Sequence, residues 1–139
     1  MGFDTASTFD EAVFGGLLIG RFAILGSKSS TGLNTIDLVR PRSDRYARLA
    51  ISRAPEAPLR GRTVKVLTPE DFIIFKVLST RDRDVEDAAG VLRRSRDLVD
   101  LEGIRREIET LAEEIAGISP RDRLDEVLRR SGEGRSTPH

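Results

Sequence analysis

Lys76 interrupts an otherwise apolar run, Phe72, Ile73, Ile74, Phe75, Val77 and Leu78. Asp84 and Asp87 follow it, three residues apart, so they share one face of a helix. A lysine in that setting can pair with the two carboxylates while its stem packs on apolar neighbours. Asp37 is a third group that asks for an explanation. It stands in Leu33 to Val39, LNTIDLV, with apolar neighbours on both sides. Burying a lone carboxylate is costly, so Asp37 needs a partner, a metal, or a place at the solvated end of its strand.

Other chemistry is poorly supplied. The 139 residues contain no cysteine, which excludes disulfides, thiol nucleophiles and thiolate metal sites. The single histidine is His139, the last residue, so a histidine base or zinc site is not expected. Ser27, Ser29 and Ser30 have no histidine to activate them. The remaining carboxylates, lysines and arginines suit magnesium and phosphate better than zinc. The 23 basic and 23 acidic residues cancel, but unevenly: residues 40–65 hold 8 basic and 2 acidic residues. Only that block could attract phosphate by charge alone, so nucleic acid is a weak expectation. No apolar run is long enough to span a membrane and no secretory leader is visible, so the expected location is cytoplasmic.

The elements that must position these groups read as follows. Ser7 or Thr8 could cap a short helix from Phe9, with Asp10 and Glu11 in its first turn, Phe9, Val13 and Leu17 on one face, and Gly15 and Gly16 ending it. Leu18–Leu25 and Leu33–Val39 read as strands around the turn Gly26–Gly32, an antiparallel hairpin. Tyr46–Ile51 is a short helix or an irregular strand, and Tyr46 reads as a packing residue. Pro55 and Pro58 mark turns before a third strand over Thr63–Leu67. Thr68 caps the next helix, with Pro69 first and Glu70 and Asp71 in its amino-terminal turn, where acidic residues act as caps. A second helix spans Asp84–Arg94. Asp100 caps a third, with the stripe Leu101, Ile104, Ile108, Leu111 and Ile115. Ser119 and Pro120 open a last helix. The fold class is α+β: a small mixed sheet of about three strands, with a helical carboxy-terminal half. One domain is expected over residues 1–130, with a disordered tail over 131–139.

Several stretches, in order, resemble the nucleotidyltransferase superfamily, specifically small bacterial proteins on the toxin side of abortive-infection toxin–antitoxin systems. Gly20–Val39 resembles that family's strand–turn–strand ending in an acidic residue. Arg62–Phe75, RTVKVLTPEDFIIF, resembles its strand followed by a Ser/Thr-Pro-Glu-Asp helix start. Lys76 matches the lysine on that helix. Arg83–Asp87, RDVED, resembles its Arg/Lys-Asp-x-x-Asp motif, and Asp100–Ile104 the start of its next helix. The resemblance implies magnesium held by three carboxylates, two from an Asp-x-Asp pair after a Gly-Ser turn and a third matched here by Asp37. It implies Lys76 near the phosphates of a nucleoside triphosphate. Thr68, Glu70, Asp71, Asp84 and Asp87 would be supporting residues.

The Gly-Ser turn and Asp-x-Asp pair are expected before the first helix, and this sequence does not show them there. Gly26-Ser27 precedes no such pair, and Asp4, Asp10 and Glu11 lack the local signature. The expectation is an incomplete nucleotidyltransferase-like domain: truncated, begun at the wrong start codon, or degenerate. It would be inactive as written, with no cofactor. Two alternatives stand beside that reading. One is magnesium-dependent transfer from a nucleoside triphosphate to an RNA or protein acceptor, with ligands recruited from Asp10 or Glu11 or from a partner. The other is a non-enzymatic interaction module, a homodimer or an antitoxin-like protein covering an open sheet edge.

Overall fold

The computed structural model describes residues 5–24 and 34–132. Strands β1 (Thr5–Phe14), β2 (Leu17–Ile24) and β3 (Asn34–Pro41) form an antiparallel sheet in the order β1-β2-β3. Helix α1 (Asp44–Arg53) leads into a separate hairpin, β4 (Glu56–Leu59) and β5 (Arg62–Lys65). Helices α2 (Pro69–Leu78), α3 (Asp82–Ser95), α4 (Leu101–Glu114) and α5 (Pro120–Ser131) complete the chain, with a short 3₁₀ turn at Arg96–Leu98. This is the expected α+β class, with a three-stranded sheet and a helical second half.

The expected helix from Phe9 is instead strand β1. Phe9, Val13 and Leu17 have helical spacing, but β1 carries irregularities between Ser7 and Phe9 and between Phe9 and Ala12. Such bulges break the alternation by which a strand is recognised. Gly15 and Gly16 form the β1–β2 turn rather than a helix end. Gly15 has φ +64, and a Cβ there would lie 2.7 Å from the Leu78 carbonyl oxygen. The Gly16 amide donates to that same oxygen at 2.8 Å, fastening the turn to the end of α2.

The hairpin expectation for the next two strands holds: β2 and β3 pair from Leu17–Pro41 to Ile24–Asn34. The expected turn Gly26–Gly32, residues 1–4 and the tail from 133 lie outside the described residues, and Ser131 belongs to α5. The turn expected around Pro55 and Pro58 contains strand β4, so β5 pairs with it and does not join the main sheet.

Helix α2 starts as its sequence requires: Thr68 Oγ1 accepts from the Asp71 amide at 3.1 Å, and Pro69 needs no amide partner. Its apolar residues Ile73, Ile74, Val77 and Leu78 are buried against Val85, Ala88, Ala89 and Leu92 of α3, Ile104, Ile108 and Leu111 of α4, and Leu124 and Val127 of α5. Asp100 caps α4 by accepting from the Gly103 amide at 2.9 Å. Ser119 occupies the cap of α5, but its side chain makes no capping hydrogen bond. The sheet meets this core through Leu17 and Ile19 on one face of β2. Its other face leaves Val13, Ile36 and Leu38 exposed.

Candidate functional site

Asp37 lies opposite Arg21 in the β2–β3 register. Cross-strand partners share a face, so both stand on the side carrying the buried Leu17, Ile19 and Ala23. Arg21 grips Asp37 with two donors, Nε to Oδ1 at 2.7 Å and Nη2 to Oδ2 at 3.0 Å. The Asp37 carboxyl is held below its ordinary range, chiefly by the Arg21 hydrogen bonds, against a smaller upward push from burial. Arg81 and Arg83, at the start of α3, add to the same effect. Asp37 therefore has both a partner and a partly solvated position.

Lys76 sits on α2 with its ammonium 3.0 Å from Asp84 Oδ1 and 3.2 Å from Asp87 Oδ2. It also lies over the Phe72 ring, 5.3 Å from the centroid. Asp84 is fully buried. Its other oxygen accepts from the Ser79 hydroxyl and, at 2.8 Å, from Arg81 Nε. Burial alone would raise the Asp84 carboxyl, but the bonds from Ser79, Lys76 and Arg81 outweigh it and the net shift is downward. Of the two uses open to Lys76, the structure shows the ion pair with Asp84 and Asp87, which ties α3 to α2. No hydrogen bond or ion pair links Lys76 to Asp37 among the described residues.

Asp71 forms a node that sequence reading places only at a helix cap. Its side chain is fully buried. Tyr46 Oη donates to Oδ1 at 2.7 Å, Arg53 donates through Nε at 2.7 Å and Nη2 at 2.6 Å, and the Thr68 hydroxyl donates to Oδ2 at 3.1 Å. Burial pushes the Asp71 carboxyl up, and these donors bring it below its ordinary value. The Tyr46 hydroxyl is pushed up, first by burial and then by its bond to Asp71. One signal was available in the chain. Tyr46 and Arg53 are seven residues apart, two turns of one helix, and so face the same way. Glu70 turns outward and accepts from the Asp100 amide at 2.9 Å, linking the start of α2 to the cap of α4. Beside these groups a cleft of about 450 Å³ is lined by Arg53, Thr68, Glu70, Asp100, Arg106 and Glu107, among others.

Magnesium fits Asp37 poorly as it stands. The ion takes carboxylates in near-octahedral geometry beside substrate phosphates. Both Asp37 oxygens already accept from Arg21. Among the described residues no group of three or more histidine, cysteine or carboxylate side chains is placed to hold a metal.

A family model described as a nucleotidyl transferase of unknown function matches residues 46–125. The matched stretch runs from Tyr46 in α1 into α5, and takes in Thr68, Glu70, Asp71, Lys76, Asp84 and Asp87. It begins after Asp37 and the three-stranded sheet. No curated protein and no solved structure matches the chain.

Proposed function

We propose a function from one premise: the chain belongs to that family of nucleotidyl transferases of unknown function, whose model covers more than half of it. The reading is a nucleotidyltransferase-like domain that does not transfer nucleotides by itself. The observation that carries it is the pairing of both candidate site residues inside the chain, Asp37 with Arg21 and Lys76 with Asp84 and Asp87. Two-ion phosphoryl transfer needs carboxylates that hold metal against both the attacking and the leaving oxygens. Asp37 alone does not supply that, and Lys76 is neutralised before a phosphate arrives. Activity would need two further carboxylates beside Asp37 and release of the Arg21 clamp.

The test is calorimetric titration with ATP, CTP, GTP and UTP, with and without magnesium, for the natural chain and Asp37→Asn. The expected result is no magnesium-dependent binding of any of the four. Magnesium-dependent binding that Asp37→Asn removes would overturn the reading and favour active transfer to an RNA or protein acceptor.

A second reading is favoured by the sheet. Among the described residues strand β3 is hydrogen-bonded only to β2, and Ile36 and Leu38 beside that open edge are 42% and 60% exposed. Open edges invite pairing with another chain. The sheet would then serve as an interaction surface, covered by a second copy or by an antitoxin-like protein. Light scattering on the isolated protein is expected to show a dimer, and a monomer across the working concentration range counts against self-pairing.

A further inference from the structure

The basic block at residues 40–65 resolves into two kinds of cation. Arg40 pairs with Glu11 and Asp44, Arg45 with Glu107 and Glu114, and Arg53 with Asp71. Arg42 donates to the Gly15 and Ala116 carbonyls, and Lys65 reaches the Ile51 carbonyl. Arg48, Arg60 and Arg62 are different. They are exposed, and their side chains hold no hydrogen bond or ion pair among the described residues. The charges of the whole chain cancel, yet α1 and the adjoining hairpin gather three arginines whose side chains have no acidic partner among the described residues.

The hairpin itself has little structural reason to exist. None of its strand residues is buried, and only Ala57 and Val64 are even half-buried. A two-stranded hairpin is marginal by itself in water. Its turn places Arg60 at φ +50 before Gly61 at φ +77, where asparagine or glycine would be easier than arginine. Large apolar residues of the same stretch are exposed as well: Ile51, Leu59 and Val66 at 61%, 57% and 47%. The Lys65–Ile51 contact and the bond from the Val66 amide to the Pro55 carbonyl bring the hairpin base against the end of α1. With four-residue strands the hairpin is about 13 Å long, so Leu59, Arg60, Arg62 and Val66 lie along one short unit whose base meets the end of α1, where Arg48 and Ile51 share a helix face.

We infer that the β4–β5 hairpin and the end of α1 form a docking surface for an acidic protein segment whose apolar side chains cover Ile51, Leu59 and Val66 while its carboxylates meet Arg48, Arg60 and Arg62. Arginine is enriched at protein interfaces, and the centre of an interface buries apolar surface. Among the described residues β4 and β5 pair only with each other, which leaves both hairpin edges free to take an added strand. A nucleic acid fits less well, because the hairpin offers no aromatic ring for a base to stack on and exposes aliphatic surface that phosphates would not cover. The inference concerns a different face from Asp37 and does not rest on the catalytic reading.

The experiment is a fluorescence-anisotropy titration of the whole chain into a labelled short peptide alternating glutamate and valine. A lysine–valine peptide and a labelled oligothymidylate run beside it. The glutamate–valine peptide is expected to bind and the lysine–valine peptide not to bind. The variant R48A/R60A/R62A is expected to weaken binding roughly tenfold or more, and Leu59→Ser several-fold. Arg94→Ala, which removes an exposed cation elsewhere, is expected to change nothing. Amide shifts on binding are expected within residues 48–66. These variants alter exposed side chains, and circular dichroism checks that each is folded. No binding of the acidic peptide, binding unchanged in the triple variant, shifts elsewhere, or tighter binding of the oligothymidylate would each overturn the inference.

Discussion

Tyr46 and Asp71, 25 residues apart in the chain, meet inside the core with the phenolic hydroxyl 2.7 Å from the carboxylate. That bond lets a carboxylate stand at the first turn of α2 without contact with water. Arg53 supplies the charge and Thr68 the remaining donor. Tyr46→Phe keeps the ring and removes one donor from a buried acceptor, so it is expected to cost about 1–3 kcal/mol. Asp71→Ala leaves Tyr46 and Arg53 without their shared acceptor and is expected to cost more, about 3–5 kcal/mol before allowance for the partial exposure of Arg53. Urea unfolding of the two variants checks both the values and their order.

Acid should loosen the same node. Asp71 and Asp84 both titrate below their ordinary 3.8 in the folded chain. Their contribution is therefore fully present above about pH 4, and is lost as pH falls from the unfolded value through the folded one. The urea midpoint is expected to hold between pH 7 and about pH 5 and then to drop, more steeply than in a variant carrying Asp71→Asn. A midpoint that rises on acidification would contradict the burial and pairing of these two groups.

Around Lys76 the two carboxylates are unequal. Asp84 is buried and served by Ser79, Lys76 and Arg81, whereas the Asp87 side chain is 49% exposed. Asp84→Ala is expected to destabilise by about 3–5 kcal/mol, since it removes the buried acceptor that Ser79, Lys76 and Arg81 share. Asp87→Ala is expected to cost under about 1 kcal/mol. A double-mutant cycle with Lys76→Met should show coupling to Asp84 and little to Asp87.

Gly15→Ala tests how the sheet is fastened to the helices. The added methyl would meet the Leu78 carbonyl at 2.7 Å and the Thr80 methyl at 2.9 Å, at a φ of +64 that alanine adopts poorly. A loss of about 2–4 kcal/mol is expected, from the left-handed backbone and the crowding together. Thermal unfolding of Gly15→Ala beside Gly61→Ala separates the two causes. Gly61 also has positive φ, but a Cβ there meets nothing within 4 Å.

The Arg21–Asp37 clamp is a surface pair, with side chains 42% and 32% exposed. Asp37→Asn is expected to leave the urea midpoint unchanged, because exposed ion pairs contribute little. That makes it a clean probe of nucleotide binding: any loss of ligand affinity would be read without a loss of fold.

Local signals were enough for much of this protein. Thr68-Pro69, Asp100 with its apolar stripe, and the strand-prone runs Leu18–Leu25 and Leu33–Val39 each act within a few residues, so the starts of α2 and α4 and the β2–β3 hairpin were legible in the chain. Lys76, Asp84 and Asp87 were legible as a possible ion-paired set for the same reason, since they fall on consecutive helices. What lay beyond local reach was decided by tertiary pairing. Bulges hid β1 beneath a helical spacing, and only its register with β2 makes it a strand. Arg21 meets Asp37, and Tyr46 and Arg53 meet Asp71, from 16 to 25 positions away, across a sheet and between helices. Charge and hydrogen-bond satisfaction depend on distance in space, and no spacing along the chain states which arginine closes on which carboxylate, or which arginines are left for a partner.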